Sequence, residues 1–187
     1  MSTHTVDQTE IRAEEKLVEE AKRDPARFQP LYEKYFSTVF RFIHRKVDEK
    51  DTTADLTSQV FLKVLLHLPR YQSQGLPLSA WLYRIATNEV MQYFRITKNV
   101  RKILIDETLL SRLHQQTEEP TLETLQAKLE TILPQLSLNE IQLVELRFYE
   151  AKPFREIGFI LNITENTAKV RLHRVLDKIR KKMAETP

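Results

Sequence analysis

The chain has no cysteine, and only two of its 187 residues are glycine, Gly75 and Gly158. The first absence excludes disulfides, thiolate metal sites and a cysteine nucleophile. The second disfavours a β-rich fold with tight turns and excludes a glycine-rich phosphate loop. No run of 18 apolar residues occurs, and the N-terminal MSTHTVDQTE lacks the apolar centre of a secretory signal. These absences predict a soluble, cytoplasmic protein without membrane insertion. His4, His44, His67, His114 and His173 show no metal-ligand spacing, and no nucleophile–base pair or carboxylate cluster occurs. No catalytic residue, metal or cofactor is therefore expected.

What is present is an ordinary globular balance, 41% hydrophobic and 29% charged, long enough for one or two domains. Abundant Leu, Glu, Lys, Arg and Gln predict an all-α chain. The net charge of +3 is modest, but its distribution is uneven. Residues 1–96 carry 14 basic and 13 acidic side chains, whereas 169–182 carry seven basic residues and one acidic, Asp177. A basic stripe confined to one end is a nucleic-acid footprint.

Residues 8–23 read as a first helix with a thin apolar stripe. Asp24-Pro25 then supplies an N-cap and a proline at the first helical position of an aromatic core helix running to about Val47. DEKDTT, 48–53, reads as a break. A third helix, from about Ala54 to Leu68, buries Leu56, Val60, Phe61 and Val64. Asp55, Gln59, Leu62 and Leu66 share a different face at spacings of four, three and four. That face is either a second contact surface or is covered by another helix of its domain. Pro69 ends the helix, and the loop 69–77 contains Tyr71.

The stretch LSAWLYRIATNEVMQYFR, Leu78 to Arg95, splits into two helical faces. Leu82, Tyr83, Ala86, Val90, Tyr93 and Phe94 make a core face. Arg84, Asn88, Met91 and Arg95 fall on the other, with Trp81 at its edge. Arginine binds phosphate, asparagine reads base edges and an aromatic ring stacks on unpaired bases. The alternative is a half-buried helix whose polar side is merely wet. Four helices in about 90 residues make a first domain over 1–96.

Residues 97–120 lose their periodicity and read as a flexible linker, with a short helix near 107–115. The second domain, 121–187, opens with a helix capped by Thr121 over 122–133. Ser137-Leu-Asn-Glu140 is a capping box before the next helix. Phe154 to Leu161, a turn at Asn162-Ile163, and a basic helix capped by Thr164 form a helix-turn-helix. On that last helix Ala168, Leu172, Val175, Leu176, Ile179 and Met183 occupy one arc. Lys169, Arg171, His173, Arg174 and Lys178 lie outside it. Val170 sits amid the charged face, where it suits a thymine methyl better than a core. Asn166 and Thr167 are placed to reach bases or phosphates from the first turn. The competing reading is an amphipathic helix with a solvated basic side.

DLTSQVFLK (55–63), then WLYRIATN (81–88), then a terminal helix-turn-helix together resemble the extracytoplasmic-function (ECF) sigma factors of bacterial RNA polymerase. The resemblance covers about 25–96 and 122–183 and implies two helical domains, sigma regions 2 and 4, joined by the linker. It implies that Asp55, Ser58, Gln59 and Leu62, beside Leu66, grip the β′ subunit of core RNA polymerase. Where the family usually has Gln-Glu, this chain has Ser58-Gln59, which removes a charge. It further implies that Tyr71 holds a base flipped from the promoter −10 element and that Asn88 reads that element. Trp81, Arg84 and Arg95 flank Asn88 on its helix. Lys169, Val170, His173 and Arg174 match positions that read the −35 element, with Arg171 between them; Asn166, Thr167 and Lys178 lie on the same helix. The implied partners are core RNA polymerase (β′ and β subunits), promoter DNA and an anti-sigma factor. Two other readings stay open, a helix-turn-helix regulator that acts without core polymerase and a sigma mimic that sequesters a regulator.

Overall fold

The computed structural model describes residues 8–97, 107–115 and 121–185. Among them all regular structure is helical, and the chain divides into compact units at 1–102 and 103–187.

The first unit holds α1 (Gln8–Arg23), α2 (Gln29–Val47), α3 (Lys50–His67) and α4 (Leu78–Thr97). The turn Pro25–Phe28 is 3-10 rather than the start of α2, with Asp24 accepting from the Ala26 N–H at 3.0 Å. Pro30 explains this: it has no N–H to give to the carbonyl four residues back, so α-helical bonding starts afresh at Gln29. The break expected over 48–53 is only two residues long. Asp48 closes α2 in a left-handed conformation, φ 55°. Glu49 opens α3 by accepting the Asp51 N–H at 2.9 Å and the Thr52 N–H at 2.5 Å. Hydrogen bonds from the Thr52 side chain and backbone, then from Asp51, hold its carboxyl below the usual range. Both side chain and dipole favour an anion here.

The core joins Leu31, Val39, Phe42 and Ile43 of α2 to Val60 and Val64 of α3 and to Leu82 and Ala86 of α4, all buried. Phe42 meets Tyr83 edge to face at 4.6 Å. Two polar contacts pin α4. Glu14 of α1, itself buried, accepts the Leu78 backbone N–H on Oε2 at 2.6 Å. Its Oε1 accepts from the Lys34 ammonium at 2.8 Å and from the Tyr35 hydroxyl. Lys63 of α3 pairs with the buried Glu89 of α4.

The second unit holds α5 (Glu107–His114), α6 (Leu122–Ile132), α7 (Leu138–Val144), α8 (Phe154–Leu161) and α9 (Glu165–Glu185). The expected linker 97–120 is therefore not all connection. Helix α5 packs in this unit, burying Leu109, Leu110 and Leu113. Its Arg112 donates to the Phe148 carbonyl at 2.6 Å, tying α5 to the helical turn that follows α7. The rest of that linker, 98–106 and 116–120, lies outside the described residues. The capping box forms as expected, Ser137 N–H to Glu140 at 2.7 Å and Glu140 N–H to Ser137 at 3.4 Å. Helix α7 then widens into a π-helical turn, Glu145–Tyr149, which periodicity alone does not reveal. Past it, Ala151 sits at φ 51°. Between α8 and α9 the turn lies directly on Gly158, where a Cβ would come within 2.8 Å of the Ile163 carbonyl oxygen. Asn162 takes the left-handed position, φ 55°, that ends α8.

Two stability effects follow from this geometry. Glu14→Ala removes the acceptor of the buried Tyr35 hydroxyl and of the first α4 N–H. It is expected to cost about 2–4 kcal/mol, with Glu14→Gln costing less because it keeps an acceptor. Urea unfolding followed by Trp81, the only tryptophan, reports on this unit alone. Ala151→Gly removes a left-handed strain and is expected to stabilise the second unit by about 0.5–1 kcal/mol. Amide hydrogen exchange across α7–α9 measures it; faster exchange would show that Ala151 is not strained.

Candidate functional site

Three outward surfaces carry the chemistry. The first is the far side of α3. Its inner stripe, Leu56, Val60, Phe61 and Val64, is buried, which turns Asp55, Ser58, Gln59, Leu62 and Leu66 outward. Leu62 is 57% exposed and Leu66 66%, with Leu65 beside them at 38%. No described residue covers them, so the reading of a face hidden under another helix fails. The Ser58 hydroxyl donates back to the Ala54 carbonyl at 2.9 Å, leaving Asp55 and Gln59 as the outward polar groups. Leu65 was missed by the spacing rule because it falls between the two stripes.

The second surface joins the 71–77 loop to α4. Tyr71 and Trp81 stack, ring centroids 4.4 Å apart and planes 28° from parallel. Burial, then the negative charges of Glu14 and Glu15, push the Tyr71 hydroxyl up to about 12. The Lys22 ammonium of α1 lies 6.0 Å from the Tyr71 ring centre. On the following turns Arg84 is half-buried, while Asn88 and Arg95 are exposed and make no hydrogen bond or ion pair among the described residues. The structure thus brings Tyr71, Trp81, Arg84, Asn88 and Arg95 to one side of the unit, since α4 buries Leu82, Tyr83, Ala86, Val90 and Phe94 on its other side. Nothing in the sequence signalled Glu14 or Lys22. Their partners lie 64 and 49 positions away in the chain (78 − 14 and 71 − 22), and no local pattern joins such residues.

The third surface is α9. Thr164 caps it by accepting the Thr167 N–H at 3.1 Å, and the two hydroxyls pair at 2.7 Å. Thr167 therefore takes part in the cap, and Asn166 is exposed in the first turn beside Glu165. Val170 is 42% exposed, in keeping with its place outside the core arc. Arg171 and Arg174 are exposed and make no ion pair among the described residues. Lys169 pairs with Glu165 at 2.7 Å and His173 with Asp177 at 2.8 Å. Both pairs are open to water, where such contacts are worth about 0–1 kcal/mol and yield readily to phosphate. Lys178, also expected at the DNA face, has a partner within the unit. Its ammonium donates to both carboxylate oxygens of Glu140 at 3.0 Å, tying α9 to α7. Burial raises the Glu140 carboxyl, but the Ser137 N–H, Lys178 and the Ser137 hydroxyl outweigh it and hold the group below its usual range.

Comparison with known proteins accounts for both units. Residues 31–99 match the Sigma-70 region 2 family and residues 132–181 the Sigma-70, region 4 family. The chain is 31% identical over 163 residues to the ECF RNA polymerase sigma factor BldN of Streptomyces coelicolor, covering 86% of this chain and 62% of BldN. It is 23% identical over 152 residues to the ECF RNA polymerase sigma factor SigM of Bacillus subtilis, covering 80% of this chain and 91% of SigM. Its fold is similar to that of CnrH, solved in complex with the cytosolic domain of CnrY, with a TM-score of 0.61 at 17% identity over 94% of this chain and 99% of that one. Region 2 followed by region 4 in one all-helical chain, with relatives that are themselves ECF factors, leads to one conclusion: the chain belongs to the ECF group of the sigma-70 family of RNA polymerase sigma factors.

Proposed function

We propose that the chain binds core RNA polymerase and directs it to promoters carrying a −10 and a −35 element. The observation that carries this reading is the uncovered α3 face, Asp55, Gln59, Leu62 and Leu66. A helix-turn-helix regulator that acts alone has no use for two exposed leucines on a rigid helix far in sequence from its DNA-reading unit. A sigma factor needs such a face to hold core enzyme, here the β′ subunit, while its other surfaces meet DNA. Leucines flanked by a carboxylate and an amide suit an apolar contact with a polar rim.

Binding, not bond chemistry, does the work. The first unit docks on the polymerase, and the Tyr71–Trp81 pair with Asn88 captures unpaired −10 bases. Unstacking costs a few kcal/mol per step; aromatic stacking returns about 1–3 kcal/mol per base. The second unit anchors α9 in the major groove at −35. There Val170 makes an apolar base contact, Arg171 and Arg174 meet phosphate or guanine, Asn166 meets the groove near the helix start, and Lys169 and His173 exchange exposed intrahelical partners for DNA. The linker joins the two units between the elements. An anti-sigma factor is a further partner in this reading, one that occludes the polymerase-binding surface until released.

Purified chain is expected to bind core enzyme without DNA and to start transcription from a cognate promoter. Protein that shifts duplex DNA alone but ignores core enzyme would refute the reading. Asn88→Ala should lower transcription about tenfold while core binding stays intact, because the helix needs that amide for nothing else. Parallel loss of both activities would mean that Asn88 is structural. Arg174→Ala should weaken promoter binding and make the logarithmic salt slope shallower by about one. An unchanged slope would remove Arg174 from the phosphate contacts.

A further inference from the structure

Lys63 of α3 and Glu89 of α4 stand between the two faces that the first unit presents. The Lys63 ammonium donates to Glu89 Oε1 at 2.5 Å. Glu89 is buried, its side chain 7% exposed, and it directly follows Asn88. The Lys63 side chain is 42% exposed. It directly follows Leu62, with Gln59 four residues before it and Leu66 three residues after. Residues at those spacings are neighbours on a helix surface. One partner therefore borders the outward face of α3, and the other is anchored beside the exposed asparagine of α4. Apolar residues of similar volume often join two helices with equal or greater stability than an ion pair that buries a charge. What the pair adds is direction, because a charge-assisted hydrogen bond fixes two atoms where apolar packing tolerates slippage.

We propose that Lys63 and Glu89 are positioning residues that link core-polymerase docking on α3 to −10 reading by α4. This rests on the reading of the chain as a sigma factor. In the free chain water shares the Lys63 ammonium with Glu89, because much of the lysine is open. A polymerase subunit seated on Gln59, Leu62 and Leu66 displaces that water. Attraction between the two charges grows as the local dielectric falls, and the ammonium is left with Glu89 as its fixed acceptor. Helix α4 is then held against α3 in one rotational setting, and the neighbouring Asn88 is presented at one angle. Linkage makes the effect reciprocal: a strand that selects this setting of α4 tightens polymerase docking by the same factor.

The linkage factor is the direct readout. Affinity of the purified full chain for core polymerase is measured with and without a saturating single-stranded −10 segment of a promoter that the complex transcribes. The strand is expected to tighten core binding by at least about fivefold in the wild type. In Glu89→Gln and in Lys63→Met the factor should fall below about twofold, while core affinity without the strand changes by less than about threefold. The double variant should lose no more than either single one, since both break the same contact. Lys63→Arg, which keeps the charge, should keep most of the factor. Glu89 is closed to polymerase and DNA by its burial, so its effect cannot be a lost intermolecular contact. A purely structural pair would weaken both affinities and leave the factor unchanged. Trp81 fluorescence in urea and far-UV circular dichroism identify variants that do not fold, and the part-exposed Lys63 carries the test if Glu89→Gln is one of them. If the factor survives in the folded single variants, or the wild type shows none although it transcribes, the proposal is overturned. If the wild type neither binds core polymerase nor transcribes, the sigma-factor reading fails as well.

Discussion

A single buried carboxylate organises the first unit. Glu14 receives three donors from the two helices it aligns, the Lys34 ammonium and the Tyr35 hydroxyl of α2 and the first backbone N–H of α4. A charge out of water is tolerable only when its lone pairs are filled in this way. The arrangement also exploits the unsatisfied amides at a helix start, where negative charge is favoured. Its consequence is positional. The N-terminus of α4 is set from α1, and Trp81 and Asn88 inherit that placement. With Lys63 and Glu89 closing the other flank between α3 and α4, the helix has little freedom to roll.

The second unit solves a related problem with charge of the other sign. Helix α9 is crowded with cations, and several are spent internally. Lys178 binds Glu140 of α7, Lys182 reaches Gln135, and Arg180 shares Asp177 with His173. These contacts relieve repulsion along the helix, while Val170, Arg171 and Arg174 are exposed. The turn ahead of α9 is close enough to Gly158 that its backbone takes the place of a side chain. A rigid turn fixes the angle at which α9 is presented, and that angle decides which side chains meet base edges.

Much of the fold was legible locally. Periods of three and four separated the buried from the exposed residues of α3, α4 and α9, and caps at Thr121, Ser137 and Thr164 lie where their hydroxyls suggested. The failures share a cause, competition between a local signal and something outside it. DEKDTT looks like a break because of its polar residues, yet Glu49 can cap and threonine hydroxyls bond back along the helix, so α3 begins at Lys50. Residues 107–115 looked like a short helix in a connection, but Leu109, Leu110 and Leu113 are buried in the second unit. The Lys178–Glu140 pair was not foreseen, since a helical wheel does not show a carboxylate on the neighbouring helix.

What the sequence determined by itself was the class of the protein. An all-α chain without cysteine, with a polar-apolar second face on α3, an Arg–Asn face on α4 and a basic terminal helix, follows from composition and periodicity, because both act over a few neighbouring residues. Tertiary structure decided which of those side chains are available. Glu14, 64 residues from the backbone it caps, sets α4 in place. Glu140 of α7 engages Lys178, and Trp81 stacks on the face of Tyr71. Each is a contact between elements distant in sequence, and such pairings are fixed by packing geometry that no local pattern encodes.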